Sequence, residues 1–209
     1  NDLKYNRIFG NANLKVYGYE LLFRLGVENI FPDVDGDEAT SNLMSNIFFP
    51  FDYDELLGGK RGLINFTEKL ISDNIPLLLP KEHFVIEVLE DIEPAQEIVE
   101  ALELFRSKGF IIALDDFVYH EKYRPMLAQC HIIKFDLIAT PLETLGEIVL
   151  KIREEYDVLL LAEKVETHEE FLEARKMGFD LFQGFFFSKP EILSTKGISA
   201  DQMTRLRLI

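Results

Sequence analysis

The sequence predicts an α/β fold in which parallel strands and their crossover helices close into a (β/α)8 barrel, and two observations carry this. Seven short apolar runs, rich in β-branched and aromatic residues, alternate with helical patterns, which is how buried parallel strands and crossover helices read. Nearly every run also ends in, or holds near its end, a side chain able to bind a cation or a phosphate: Glu20, Asn65, Glu87, Asp115-Asp116, Lys134, Glu163 and Gln183. After the first, the steps between them are 19 to 29 residues, close to the roughly 30 per βα unit of an eight-fold barrel. In a barrel the C-terminal strand ends converge on one face, so residues as distant as Glu20 and Gln183 meet in one pocket. An open doubly wound sheet would need a glycine-rich phosphate turn after a strand, and the sequence has none.

Taken in order, the predicted strands cover 16–25, 62–66, 84–89, 110–114, 131–135, 158–162 and 179–187. The long interval between the first two inserts extra helix over 33–59. After the third strand, Ala95, Ile98, Val99, Leu102 and Phe105 fall on one helical face, and Lys108-Gly109 closes that helix with a cationic last turn and a C′ glycine. A later helix opens at Thr167 with Glu170 three residues on, the pattern of a capping box, and stops at Lys176-Met177-Gly178. The acidic loop 33–38 is a poor calcium loop, because its glycine stands at position 4 and its twelfth position is Met44. Asn65-Phe66-Thr67 matches a glycosylation sequon, but it ends an apolar strand in a chain without a secretion signal.

Composition bounds the function. With 209 residues, 47% of them hydrophobic, and a mean hydropathy of +0.02, the chain builds one sizeable core and is too apolar for a disordered polypeptide. Its 22 Lys and Arg against 37 Asp and Glu give a formal net charge of −15, which argues against polymeric nucleic acid and anionic membrane surfaces as partners. The single Cys130 excludes an intrachain disulfide and a Cys-rich zinc site, which points to a reducing, cytoplasmic setting. No apolar run approaches the roughly 20 residues needed to cross a bilayer. The chain starts at Asn1, and 200–209 reads as a helix cut while running, so the expectation is a barrel domain over 1–192 followed by a linker and helix start over 193–209.

Asp115 and Asp116 are the strongest chemical signal. Two adjacent carboxylates at a buried strand end repel each other and resist desolvation, so something cationic must neutralise them. A divalent metal pair does this; a helix N-cap with an acidic companion is the alternative for an isolated Asp-Asp. Together with Glu20, Asn65, Glu87 and Glu163 the pair reads as metal ligands, and hard oxygens without His or Cys suit Mg²⁺ or Mn²⁺ rather than Zn²⁺. Lys134, inside the apolar segment Ile132-Ile133-Lys134-Phe135-Asp136, faces carboxylates, a hydroxide or a phosphate, or else forms a salt bridge. Two metals, a lysine and an amide fit phosphodiester hydrolysis.

Tyr17-Gly18-Tyr19-Glu20-Leu21-Leu22-Phe23-Arg24 resembles the signature of the EAL domains, with Leu21 in place of the alanine. Six further motifs follow in the family's order: Ile64 to Thr67, Ile86 to Glu90, Ala113 to Phe117, Ile133 to Asp136, Ala162 to Glu166 and Phe182-Gln183-Gly184. The resemblance implies a modified TIM barrel, of the EAL type, that hydrolyses cyclic di-GMP to pGpG with two Mg²⁺ or Mn²⁺ ions. It implies Glu20, Asn65, Glu87 and Asp115 as ligands of one metal, and Asp115, Asp116 and Glu163 as ligands of the other. It further implies that Lys134 binds the attacking water, that Gln183 supports the metal-water network and that Glu166 steadies the loop after Asp115-Asp116. Arg24, Leu22 and Asn6 are the implied substrate contacts.

Three departures from the family pattern bear on activity. The loop after Asp116 reads Phe117-Val118-Tyr119-His120-Glu121-Lys122-Tyr123 where active members carry glycines, a threonine and serines, and that loop shapes the second metal site and a dimer contact. Asn6, followed by Arg7-Ile8, stands for a longer glutamine that helps hold a guanine. Lys164 stands where the family has glycine. These departures, with Lys189-Pro190 and the trailing segment, resemble the subgroup in which an EAL domain is joined to a C-terminal HDOD domain, where it acts either as an enzyme or as a cyclic di-GMP-binding or protein-interaction scaffold.

Overall fold

The structure, a computed structural model, describes residues 3–10, 14–24 and 57–193. Its backbone is a closed eight-stranded barrel. Strand β1 (Leu3–Gly10) pairs antiparallel with β2 (Val16–Arg24), with Asn6 directly opposite Glu20. From β2 the strands run parallel through β3 (Arg61–Phe66), β4 (Phe84–Val88), β5 (Ile111–Leu114), β6 (Ile132–Asp136), β7 (Leu159–Glu163) and β8 (Leu181–Phe182). β1 also pairs antiparallel with β8 and so closes the ring, while β9 (Glu191–Leu193) continues the sheet along the first residues of β1. One antiparallel strand among eight makes this a modified TIM barrel.

The seven predicted strands are β2 to β8. β1 has no continuous apolar run, and only Tyr5 and Ile8 of its described side chains are buried. The last predicted strand, 179–187, is cut to two residues: beyond Gln183 the chain turns at Gly184, φ 154°, and Phe186 donates its backbone N–H to Val165 O instead of extending the sheet. The acidic loop 33–38, the inserted helix expected over 33–59 up to residue 56, and the segment 200–209 lie outside the described residues.

The helices follow their sequence signals. α1 (Glu68–Ser72) is a single turn after β3. α2 (Gln96–Ser107) buries Ile98, Ala101, Leu102 and Phe105 on one stripe and ends at Lys108, with Gly109 in the left-handed region at φ 88°. α3 (Arg124–Leu127) is short, and α4 (Leu142–Glu155) buries Leu142, Leu145, Val149 and Ile152 at helical spacing. α5 (His168–Met177) starts with the expected capping box, in which Thr167 Oγ1 accepts from Glu170 N and the Glu170 carboxylate accepts from Thr167 N. Among the described residues no helix is long and apolar enough to cross a membrane.

Strand alternation divides the core in two. Outward-facing residues such as Ile64, Phe66, Phe84, Ile86, Ile133, Phe135 and Phe182 pack against the helices. Inward-facing Ile8, Leu63, Val85, Ala113, Ile132, Leu161 and Leu181 form a separate apolar layer inside the barrel. Because side chains repeat every second residue along a strand, the next inward layer is fixed by counting two onward along the parallel strands: Asn65, Glu87, Asp115, Lys134, Glu163 and Gln183. On antiparallel β1 the count runs backwards, from Ile8 to Asn6. The apolar layer thus serves as a floor for a polar one.

Gly184 holds the last member of that layer in place. A Cβ there would overlap the backbone O and N of Val165, the residue whose N–H donates to Gln183 O. Gly184→Ala is therefore expected to destabilise the fold by about 2 kcal/mol or more, read as a thermal midpoint lowered by several degrees. An unchanged midpoint would show that the Val165–Gln183 crossing is not tight.

Candidate functional site

The buried polar and charged side chains among the described residues are Glu20, Glu87, Lys134, Asp136, Glu163 and Gln183, and all six lie at the C-terminal end of the barrel. Burying so many charges is costly unless they are paired. Lys134 provides the pairing. Its ammonium, fully buried, donates to Glu87 Oε1, to Asp115 Oδ1 at 2.7 Å and to Glu20 Oε1 at 3.2 Å, and forms an ion pair with Glu163 Oε1 at 3.0 Å. The other oxygen of Glu20 accepts from Gln183 Nε2 at 2.7 Å and Asn6 Nδ2 at 2.8 Å. Five strands and two strand-end loops thereby converge on one knot of atoms.

Both readings of Lys134 meet here: it is a salt bridge to acids at the barrel end and the cation of a cluster of metal-type ligands.

One cation does not balance four carboxylates, and proton affinities adjust. Burial, which outweighs the pull of Lys134, raises the Glu87 carboxyl to about 8, and Asp115 and Glu20 add to the shift. Glu163 is raised well above the usual carboxylate range by the same burial against the same attraction. Burial works against Glu20 too, but Lys134 and the amides of Asn6 and Gln183 outweigh it and hold that carboxyl below its usual range. Burial opposes the charge of Lys134, yet Glu163, Glu87, Glu20 and Asp115 keep it protonated well above the usual lysine range.

The donor set fits divalent cations. Asn65 Oδ1, Glu87 Oε2 and Gln183 Oε1 are buried without a hydrogen-bond partner, although buried polar atoms normally have one. All three belong to the polar layer. Oxygens of Glu20, Asp115 and Glu163 lie within 4.8 Å of one another, close enough to share an ion. Orphaned amide and carboxylate oxygens beside a converging carboxylate triad are the ligands that a hard cation takes.

Asp115 and Asp116 take different paths. Asp115 N donates to Val88 O at 2.9 Å and Phe117 N to Lys134 O at 2.8 Å, so the pair is strung between β4 and β6. Asp116 adopts φ 39°, which turns its carboxylate aside, and burial and Asp115 raise its proton affinity. Its oxygen converges with Asp115 and with Glu90, an exposed acid three residues after Glu87. Glu90 has no role in the sequence pattern, although an acid just past a strand end, three residues after a buried one, is a signal for it.

An open cavity of about 470 Å³ is lined among others by the predicted Asn6, Leu22, Asp116 and Glu166 and by Lys164 and Phe185. Leu22 is exposed on its wall. Arg24 ends β2, and its side chain falls outside the described residues. Glu166 is exposed on the rim, with its backbone N–H donating to Glu170 Oε2. The loop after Asp116 is fastened by other groups: Phe117 is buried edge-on against Phe135, Tyr119 and Tyr123, Lys122 pairs with Glu93, Lys151 with Glu121, and Arg124 with Glu155.

Similarity to known proteins agrees with this geometry. The EAL domain family matches residues 59–190. The cyclic di-GMP phosphodiesterase CdgJ of Vibrio cholerae is 38% identical over 200 residues, covering 95% of this chain and 46% of CdgJ; YuxH of Bacillus subtilis is 35% identical over 194 residues, covering 90% of this chain and 47% of YuxH. The chain thus spans about half the length of these relatives. Among solved structures, the Bacillus subtilis YkuI protein, with an EAL domain and in complex with substrate c-di-GMP and calcium, superposes with a TM-score of 0.69 at 21% identity, covering 98% of this chain and 60% of YkuI. Klebsiella pneumoniae BlrP1 with manganese and cyclic di-GMP gives 0.64 at 22% identity, covering 91% and 56%.

A cation entering the polar layer must displace the proton on Glu87. Binding of Mn²⁺ is therefore expected to tighten as pH rises from 6.5 towards 8.5, by up to about tenfold per unit for each proton released, and calorimetry in buffers of different ionisation heat should detect that release. In the metal-free protein the sign for stability is opposite. Glu87 holds its proton more tightly folded than unfolded, so its contribution is lost as pH rises from 4.5 through about 8. A Mn²⁺ affinity independent of pH would contradict a protonated Glu87.

Proposed function

This chain belongs to the EAL domain family, and on that footing we propose that it hydrolyses cyclic di-GMP to pGpG with Mg²⁺ or Mn²⁺ as cofactor. The observation that carries the reading is the polar layer itself: converging carboxylates, orphaned amide oxygens and a buried lysine at the C-terminal end of the barrel. Likeness to CdgJ, which bears the name of a cyclic di-GMP phosphodiesterase, supports the substrate. The calcium and manganese complexes of YkuI and BlrP1 support a divalent ion.

In this reading Glu20, Asn65, Glu87 and Asp115 hold one ion, and Asp115, Asp116 and Glu163 hold the other. When bound, such ions lower the proton affinity of a water and balance the charge that develops on phosphorus. The chain's own groups do the rest. Lys134, kept protonated by its four acidic neighbours, would have N–H donors for a water at the centre of the layer once some of those neighbours turned to an ion. Gln183 and Asn6 fix the Glu20 carboxylate by holding Oε2, and this leaves Oε1 directed at the centre. Leu22 and Asn6 contact the dinucleotide at the cavity wall, the sequence resemblance adds Arg24 as a further contact, and Glu166 steadies the rim. The net reaction adds one water across one phosphodiester P–O bond and opens the ring.

A second reading has its own observation. The loop after Asp116 is tied down by aromatic packing and ion pairs, and Asp116 shares its cluster with Glu90 rather than with Glu163. A domain that binds cyclic di-GMP or a protein partner without turnover fits that arrangement. The single Cys130 further supports a cytoplasmic protein, and the sequence resemblance supports a C-terminal HDOD domain beyond 1–192, reached through 193–209; a homodimer would have to form without the family's usual loop contact, since bulky residues replace that loop after Asp116.

The two readings separate in one assay. Purified protein with Mn²⁺ and cyclic di-GMP is expected to yield pGpG, and Glu20→Ala to lower the rate about a hundredfold or more. Absence of product at high protein concentration, with binding retained, would leave the second reading standing.

A further inference from the structure

Lys164 follows Glu163, the last residue of β7, and continued extended backbone would turn its side chain away from the barrel interior. The chain does not continue that way. Lys164 adopts φ 56°, left-handed backbone that costs a non-glycine residue on the order of 1 kcal/mol, and its side chain lies on the cavity wall. There the ammonium pairs with Asp136 Oδ2. Asp136 is itself held, because its other oxygen accepts from Ile138 N at 2.7 Å and Ala139 N at 3.2 Å. The tether fixes the ammonium without enclosing it: the side chain is 51% exposed, and Asp116 stands on the same cavity wall.

We infer that Lys164 is an anion contact of this cavity, placed to take a non-bridging oxygen of the dinucleotide's phosphodiester, where the family pattern has only a glycine. An ammonium with three donors and one fixed partner keeps donors free for a ligand, and an anchored donor loses little freedom on binding. Of the other charged residues on the wall, Asp116, Glu163 and Glu166 are acidic and would repel an anion, and the cation Arg7 is already paired with Glu191 at 2.9 Å. Asn6 adds to the need: its amide already donates to Glu20, which leaves less of it for a ligand.

This inference rests on the cyclic dinucleotide reading above. It is tested by calorimetric titration of cyclic di-GMP into wild-type protein, Lys164→Gln and Lys164→Arg in Ca²⁺, with Ca²⁺ affinity measured separately without ligand and Kd followed against KCl. Lys164→Gln is expected to weaken ligand binding about tenfold and flatten its salt dependence, while Ca²⁺ affinity stays within about twofold and Lys164→Arg binds nearly as wild type. Lys164→Gln binding as wild type would overturn the assignment alone. So would a loss shared by Lys164→Arg, or one that follows a loss of Ca²⁺ affinity. Wild-type protein that binds no cyclic di-GMP would overturn both the assignment and the reading it rests on.

Discussion

The ammonium of Lys134 is the constraint on which the upper half of this barrel depends. Glu20, Glu87, Asp115 and Glu163 come from strands that are far apart in sequence, and each points inward because strand alternation leaves it no other direction. Without a cation they would meet as four mutually repelling charges in a region largely withdrawn from water. With Lys134 at their centre, and with burial raising the proton affinity of Glu87 and Glu163, the ring can close around them. The charge state is a compromise that a divalent ion would resolve differently, releasing protons and freeing lysine donors. Stability and ligand chemistry are thus set by the same few atoms.

Much of this was legible in the sequence because barrels repeat. Each of the six apolar runs from β3 to β8 placed its chemical residue two positions beyond an inward apolar one, so Asn65, Glu87, Asp115, Lys134, Glu163 and Gln183 could be read before any coordinate was known. The capping box at Thr167 and the stop at Gly109 were equally local, since each depends on side chains a few residues apart.

What escaped was what local pattern does not encode. β1 carries Lys4, Asn6 and Arg7 among its apolar residues, and it is a strand because β2 and β8 flank it on either side. The strand expected through 187 ended at Phe182 because Gly184 lets the chain fold back onto Val165, a contact that forms only after both loops are in place. The division of Asp115 and Asp116 between two clusters depends on a left-handed φ at Asp116, and the approach of Glu90 depends on where β4 ends relative to β5. Lys164 is a similar case: the substitution was visible, but its tether to Asp136 was not.

A divalent cation in the polar layer would be shared by residues from across the barrel. The most direct measurement is anomalous scattering from crystals grown with Mn²⁺. A manganese peak is expected within coordination distance of Glu20, Asn65, Glu87 and Asp115, with Lys134 Nζ moved from at least one of its present carboxylate partners. A peak confined to Glu90 and Asp116, or no peak at saturating manganese with Lys134 still bound to all four carboxylates, would contradict it.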